Sequence, residues 1–196
     1  MKIVKRSLVM LLLIALGFTA CKSKSPYERL VEKELASNVR QDSLFLGIHF
    51  QMPHKEFFTH CWELNKKGLL TNGPSNLSIK HIFGSDGPLK FRASMQFYPK
   101  FTEQGIYEMP VEFKYEDWTL WNKEMSAEVL LEDVKGLLER WYGGREFMTV
   151  ESSDGTMSIL VKVDGNRRIR LWRENVSTVK AVFTDLVELE KASGNS

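Results

Sequence analysis

The sequence predicts an α+β fold, with helices packed on an antiparallel β-meander sheet. Three observations carry this. First, residues 52–67 and 127–142 place apolar side chains at helical spacing: Phe57, Cys61 and Leu64, then Leu130, Val134, Leu137 and Leu138. Second, the stretches after each of these alternate apolar and polar residues, as half-buried strands do. Third, the alternating stretches are separated by short turn signals such as Asn72-Gly73-Pro74 and Asp164-Gly165.

The elements follow in order. Ser25-Pro26-Tyr27-Glu28 opens a first helix: Ser25 caps, Pro26 suits the first helical position, and Glu28 completes a capping box. Tyr27, Leu30, Val31 and Leu35 share one face, so the helix runs to about residue 39. Residues 43–50 are apolar without clean alternation and read as a short strand or extended lead-in. The second helix spans 52–67; Lys66 and Lys67 complement its C-terminal dipole and Gly68 ends it.

Leu77, Ile79, His81 and Phe83 form one strand, and Leu89, Phe91, Ala93, Met95 and Phe97 the next. Tyr107, Met109, Val111 and Phe113 form a third row; Pro110, on the opposite parity, points to an edge strand. Trp118 and Trp121 lie in the connection to the third helix, 127–142, which Gly143-Gly144 terminates. Four further strands are expected near 147–150, 157–163, 169–171 and 179–183, then a short helix at 186–192. Residues 26–192 thus make one domain, followed by a disordered tail at 193–196. Within it the stretches 44–115 and 119–185 align as an internal repeat of helix-plus-antiparallel-strand units, Met52-Pro53 matching Met125-Ser126 and Cys61 matching Val134. This element order is similar to the small α+β units of beta-lactamase-inhibitor-like proteins and of some outer-membrane assembly lipoproteins. The similarity is one of order alone and carries over no site residue.

The N-terminus has its own logic. Lys2, Lys5 and Arg6 precede an almost wholly apolar run from Leu8 to Phe18. That run is short of the roughly 20 residues a membrane-spanning helix needs, and it has the length of a signal-peptide core. Phe18-Thr19-Ala20-Cys21 follows, and it resembles the lipobox of bacterial lipoprotein precursors, with Phe18 where leucine is usual. The resemblance covers residues 1–21. It implies cleavage after residue 20, lipidation of Cys21, and a tether over 21–25. Two or more acyl chains, at about 0.8 kcal/mol per buried methylene, hold a protein stably to a bilayer. Lys22, in place of an acidic residue, implies by the same resemblance an outer membrane where the cell has one.

Composition narrows the function. The chain of 196 residues carries 27 basic and 25 acidic side chains. Cleavage removes Lys2, Lys5 and Arg6, so the mature chain has a net charge near −1, which argues against nucleic acid as a partner. Of two cysteines, lipidation would occupy Cys21 and leave Cys61 unpaired, so the fold rests on a core that 12 Phe and 5 Trp can supply.

Two constellations bear on chemistry. His49, His54, His60 and His81, with Cys61, all fall between residues 49 and 81. Their spacing lacks the tight ligand pairs of closed zinc sites, so no metal and no cofactor is expected. Cys61 sits in an apolar stripe, where a thiol is hidden rather than activated. The second constellation is a basic stripe: Lys162, Arg168, Arg170 and Lys180, with Trp172, read as sharing one outward sheet face. Arginine forks recognise carboxylates and phosphates, and a nearby tryptophan stacks on a sugar or guanidinium. The bland reading of that stripe is a solvated sheet face. The sequence therefore points to a membrane-anchored envelope lipoprotein acting as a non-catalytic binding or assembly module, for another envelope protein or a glycan. The alternative is an envelope hydrolase or metal-dependent enzyme using His54, His60, His81 and Cys61. A carrier of small lipids is a third class, without a motif.

Overall fold

A computed structural model describes residues 24–74, 78–152 and 154–194. The expected signal peptide, Cys21, and residues 195–196 of the tail lie outside the described residues. Among the described residues the fold is α+β, with four α-helices and nine strands in one antiparallel sheet. No helix among them is long and apolar enough to cross a membrane.

Helix α1 spans Pro26–Ala36 and starts as its sequence dictates. The Glu28 amide donates to Ser25 Oγ (3.2 Å), and the Ser25 amide donates to the Glu28 carboxylate (2.6 Å). Helix α2 spans His54–Lys66 and buries Phe57, Cys61 and Leu64. Strands β1 (Thr71–Asn72), β2 (Ile79–Phe83), β3 (Ala93–Phe97), β4 (Lys100–Thr102) and β5 (Gly105–Tyr115) follow. A short 3₁₀ turn at Lys123–Met125 leads into α3 (Ala127–Tyr142), whose first amide donates to Val176 O (3.1 Å). Strands β6 (Met148–Glu151), β7 (Ser158–Asp164), β8 (Arg167–Arg173) and β9 (Thr178–Asp185) complete the sheet, and α4 (Leu186–Gly194) ends the described chain.

The strand order is β1-β2-β3-β5-β9-β8-β7-β6, with β4 paired to the start of β5. The last strand of each half therefore meets at the centre, from Glu108↔Thr184 to Lys114↔Thr178. Helices α2 and α3 cover one face, here called inner. Met95, Phe97, Val111, Phe113, Ile169, Leu171, Ala181 and Phe183 join the helix stripes there in one core cluster. The outer face is covered only in part: Tyr27, Leu30, Val31 and Leu35 of α1, with Leu186 and Leu189 of α4, pack on Val161 and Val163.

Two details depart from the sequence reading, and a third refines it. Residues 43–50 make a single bridge, Ser43↔His49, and otherwise form a plug between α2 and α3. Phe45 of the plug contacts the rings of Phe97, Trp141 and Phe183. Poor alternation was the trace of that role: the side chains point into a gap between helices, not to two faces of a sheet. Pro110 lies in a central strand, not an edge strand. It is tolerated because the neighbouring ladder breaks beside it, between Phe97↔Val111 and Lys100↔Glu108. The loop between β7 and β8 comprises Gly165 and Asn166, closed by the Asp164↔Arg167 pair, with Gly165 at φ +57°.

Candidate functional site

Antiparallel register decides which predicted site residues meet. Across β5, β9 and β8 the outer face shows three rows: Glu108–Thr184–Arg168, Pro110–Val182–Arg170 and Glu112–Lys180–Trp172. Arg168, Arg170, Trp172 and Lys180 thus share this face as the alternation requires. Lys162 does not. It pairs with Ile169, on the inner face, and its ammonium group is buried against the Gly143 and Arg145 carbonyl oxygens and Asp164. The parity reading failed there because α1 covers the outer side of β7. The strand is buried on both faces, and its apolar row, Val161 and Val163, points to α1.

The arginines are engaged within the fold. Arg168 donates to the Tyr27 hydroxyl (3.1 Å) and Thr184 Oγ1 (3.4 Å). Arg170 lies 3.9 Å from Glu108, which Lys100 also pairs at 2.8 Å. Burial, with Arg168 beside it, lowers the Arg170 guanidinium from its usual range. These cations therefore anchor α1 and β5 to β8.

The third row ends at an open groove of about 410 Å³. Its floor is Pro110 and Val182; Tyr98 and Trp172 line it on opposite sides of the β5–β9 seam, with Gln96, Glu112 and Lys180 between them. Lys180 bonds Glu174 (2.8 Å) and lies 3.6 Å from Glu112. The Trp172 indole donates to Glu174 (3.1 Å), which fixes the ring. The Lys180 hydrogen bond, with that from Trp172, holds the Glu174 carboxyl below the usual carboxylate range, and the same Glu174 bond raises Lys180. A second groove of about 340 Å³ lies beside the first, sharing Ser78 and Tyr98, and carries Phe58, Trp62, Asn65 and Asn72. The sequence reading missed Tyr98, Pro110 and Val182. Their even parity was visible, but the pairing of β5 with β9 that sets them beside Trp172 was not.

The histidine region takes separate partners. His49 bonds Phe50 O, His60 bonds Leu46 O and His81 bonds Leu69 O, while His54 packs against Phe58 and Phe101. Cys61 is a free, buried thiol, and burial pushes its pKa up to about 12. Among the described residues no group of three or more histidine, cysteine and carboxylate side chains is placed to hold a metal ion. Comparison with known proteins leaves the chain without an assigned relative: no family model, no curated protein and no solved structure matches it.

Proposed function

We propose that the chain is a lipid-anchored cell-envelope protein whose α+β domain is a non-catalytic binding module. The anchor is Cys21, by the resemblance of residues 18–21 to a lipobox. The binding surface is the open part of the outer sheet face between Tyr98 and Trp172. One observation supports this above the others. Helices α1 and α4 cover the β7 side of the outer face, while the groove over Pro110 and Val182 stays open and carries aromatic side chains at its margins. A concave surface with aromatic walls and a few placed polar groups is the usual form of a ligand site.

The two parts of the proposal are tested separately. Palmitate labelling and membrane fractionation test the anchor: the wild-type chain takes label and sediments with membranes, and Cys21→Ser abolishes both. A labelled, membrane-bound Cys21→Ser variant overturns it. Capture from envelope extracts tests the module: glycan or protein retained by the wild-type chain is lost on Trp172→Ala and Tyr98→Ala. Retention unchanged by both variants places binding elsewhere.

A further inference from the structure

We infer that the groove between Tyr98 and Trp172 takes an extended, uncharged oligosaccharide; this rests on the binding-module reading above and names its ligand class. Charge in the groove is already balanced. Lys180, the cation of the groove, is held between Glu174 and Glu112, so it is neutralised before any ligand arrives. Neither arginine lines the groove: Arg168 donates to Tyr27 and Thr184, and Arg170 lies 3.9 Å from Glu108. At Lys180 a phosphate or carboxylate ligand would have to displace two carboxylates.

The walls are aromatic. Trp172 and Tyr98 are three strand steps and two residues of register apart, since Tyr98 follows β3 beside Pro110 and Trp172 lies in the Glu112–Lys180 row, so about 16 Å separates their backbones. The second groove shares Tyr98, 44% exposed, and carries Phe58 and Trp62 of α2, one face of the Trp62 ring lying under the Lys66 ammonium (3.4 Å). Aromatic side chains therefore recur through the two joined grooves, with polar groups among them: Gln96 and Glu112, paired across β3 and β5, in the first, and Ser78 and Asn72 in the second. A pyranose ring presents the complement. Its C–H faces carry slight positive charge and pack on the negative face of an aromatic ring. Its ring-edge hydroxyls both donate and accept, which suits planar amides and carboxylates.

Peptide ligands fit the groove less well. The floor strands β5 and β9 are paired with each other and with β3 and β8, so no free backbone is offered for strand addition. An amphipathic helix needs a continuous apolar trough, and here the apolar floor is flanked by the charged Glu112–Lys180 row. A polyproline segment also seeks aromatic walls, and the experiment separates it.

The test is calorimetric titration of the detergent-solubilised full chain with soluble hexasaccharides of β-1,4-linked N-acetylglucosamine, cellulose type and maltose type, and with a proline hexapeptide. Expected is binding of at least one hexasaccharide, insensitive to added salt because no ion pair forms. Trp172→Ala and Tyr98→Ala each weaken it by about tenfold or more. Trp172→Phe retains most of it, and Trp121→Ala leaves it unchanged. Circular dichroism of each variant confirms the fold, and the Phe variant decides if the Ala variant does not fold. No hexasaccharide binding, hexasaccharide binding left at the wild-type level by both Ala variants, or binding of the proline peptide alone overturns the inference. If envelope material is still captured through Trp172 while every hexasaccharide fails, the ligand class falls and the binding module stands.

Discussion

Lys162 and Cys61 are both inside the molecule, for opposite reasons. Cys61 is buried as a small apolar residue on the α2 stripe. Its thiol stays neutral because burial raises its pKa to about 12. At pH 8 a thiol reagent is therefore expected to label the native chain slowly and the urea-unfolded chain fully. Native labelling at the rate of a free thiol would contradict the burial. Lys162 is buried as a cation that caps the C-terminal end of α3, where carbonyl groups gather negative charge. Asp164 Oδ2 sits 2.9 Å from it as an ion pair without hydrogen-bond alignment. Lys162→Ala should cost about 3 kcal/mol in urea unfolding, because it strips a partner from a buried carboxylate and from two carbonyl oxygens. A change below about 0.5 kcal/mol, the size of an ordinary surface substitution, would show that solvent screens the site. Helical spacing made Cys61 legible. Nothing local made Lys162 legible, because the side of β7 on which it lies depends on α1, far away in the chain.

At the scale of elements, α1 shows the same division. Its start was written in Ser25, Pro26 and Glu28, and its apolar stripe in Tyr27, Leu30, Val31 and Leu35. Its docking site was not, since Glu34 accepts from the Gly165 amide 131 residues away (2.9 Å) and from Arg145 (2.9 Å). The Gly165 hydrogen bond, and then the Arg145 guanidinium, lower the Glu34 pKa from its ordinary value against the opposing effect of burial. The folded state thus binds this proton more weakly than the unfolded state does. The contribution of Glu34 is complete above its unfolded pKa, about 4.3. It is lost as pH falls through the lower, folded value. Glu34→Gln should remove about 2 kcal/mol at pH 7 and flatten the loss of stability below about pH 4. Urea midpoints at several pH values read both effects, and an unchanged acid limb would assign the acid response elsewhere. The plug over 43–50 is held in a comparable way, by Arg167 to Ser43 O (2.8 Å) and Tyr142 to Leu44 O (2.7 Å). Where it meets β5, Gly105 has φ +124° and a Cβ there would lie 2.5 Å from the Gln51 backbone. Gly105→Ala is therefore expected to destabilise by about 2 kcal/mol or more, combining backbone strain with a clash that no side-chain rotation relieves.

At the scale of the molecule the decisive contact is the β5–β9 seam. Local pattern identified most strands, their turns and the three long helices. It could not supply the strand order, because Glu108 and Thr184 meet across 76 residues of sequence. The same seam creates the candidate groove, with Tyr98 contributed from one half and Trp172 from the other. It also makes one core of two halves, since the stripes of α2 and α3 belong to a single buried cluster. Phe183 on β9 stands at the junction: it contacts Phe45 of the plug and Tyr142 of α3. Truncation to Ala removes a ring with no exposed surface, which costs about 3–5 kcal/mol. If the halves are one cooperative unit, that loss is shared by both. Amide hydrogen exchange measures it directly: the slowest amides of β3 and of β8 should have the same opening free energy in the wild type, and Phe183→Ala should lower both by the same amount. A drop confined to β8 would mean that the two helix-plus-strand units unfold separately. The groove would then be an interface that opens between them, not a surface carved on one rigid sheet.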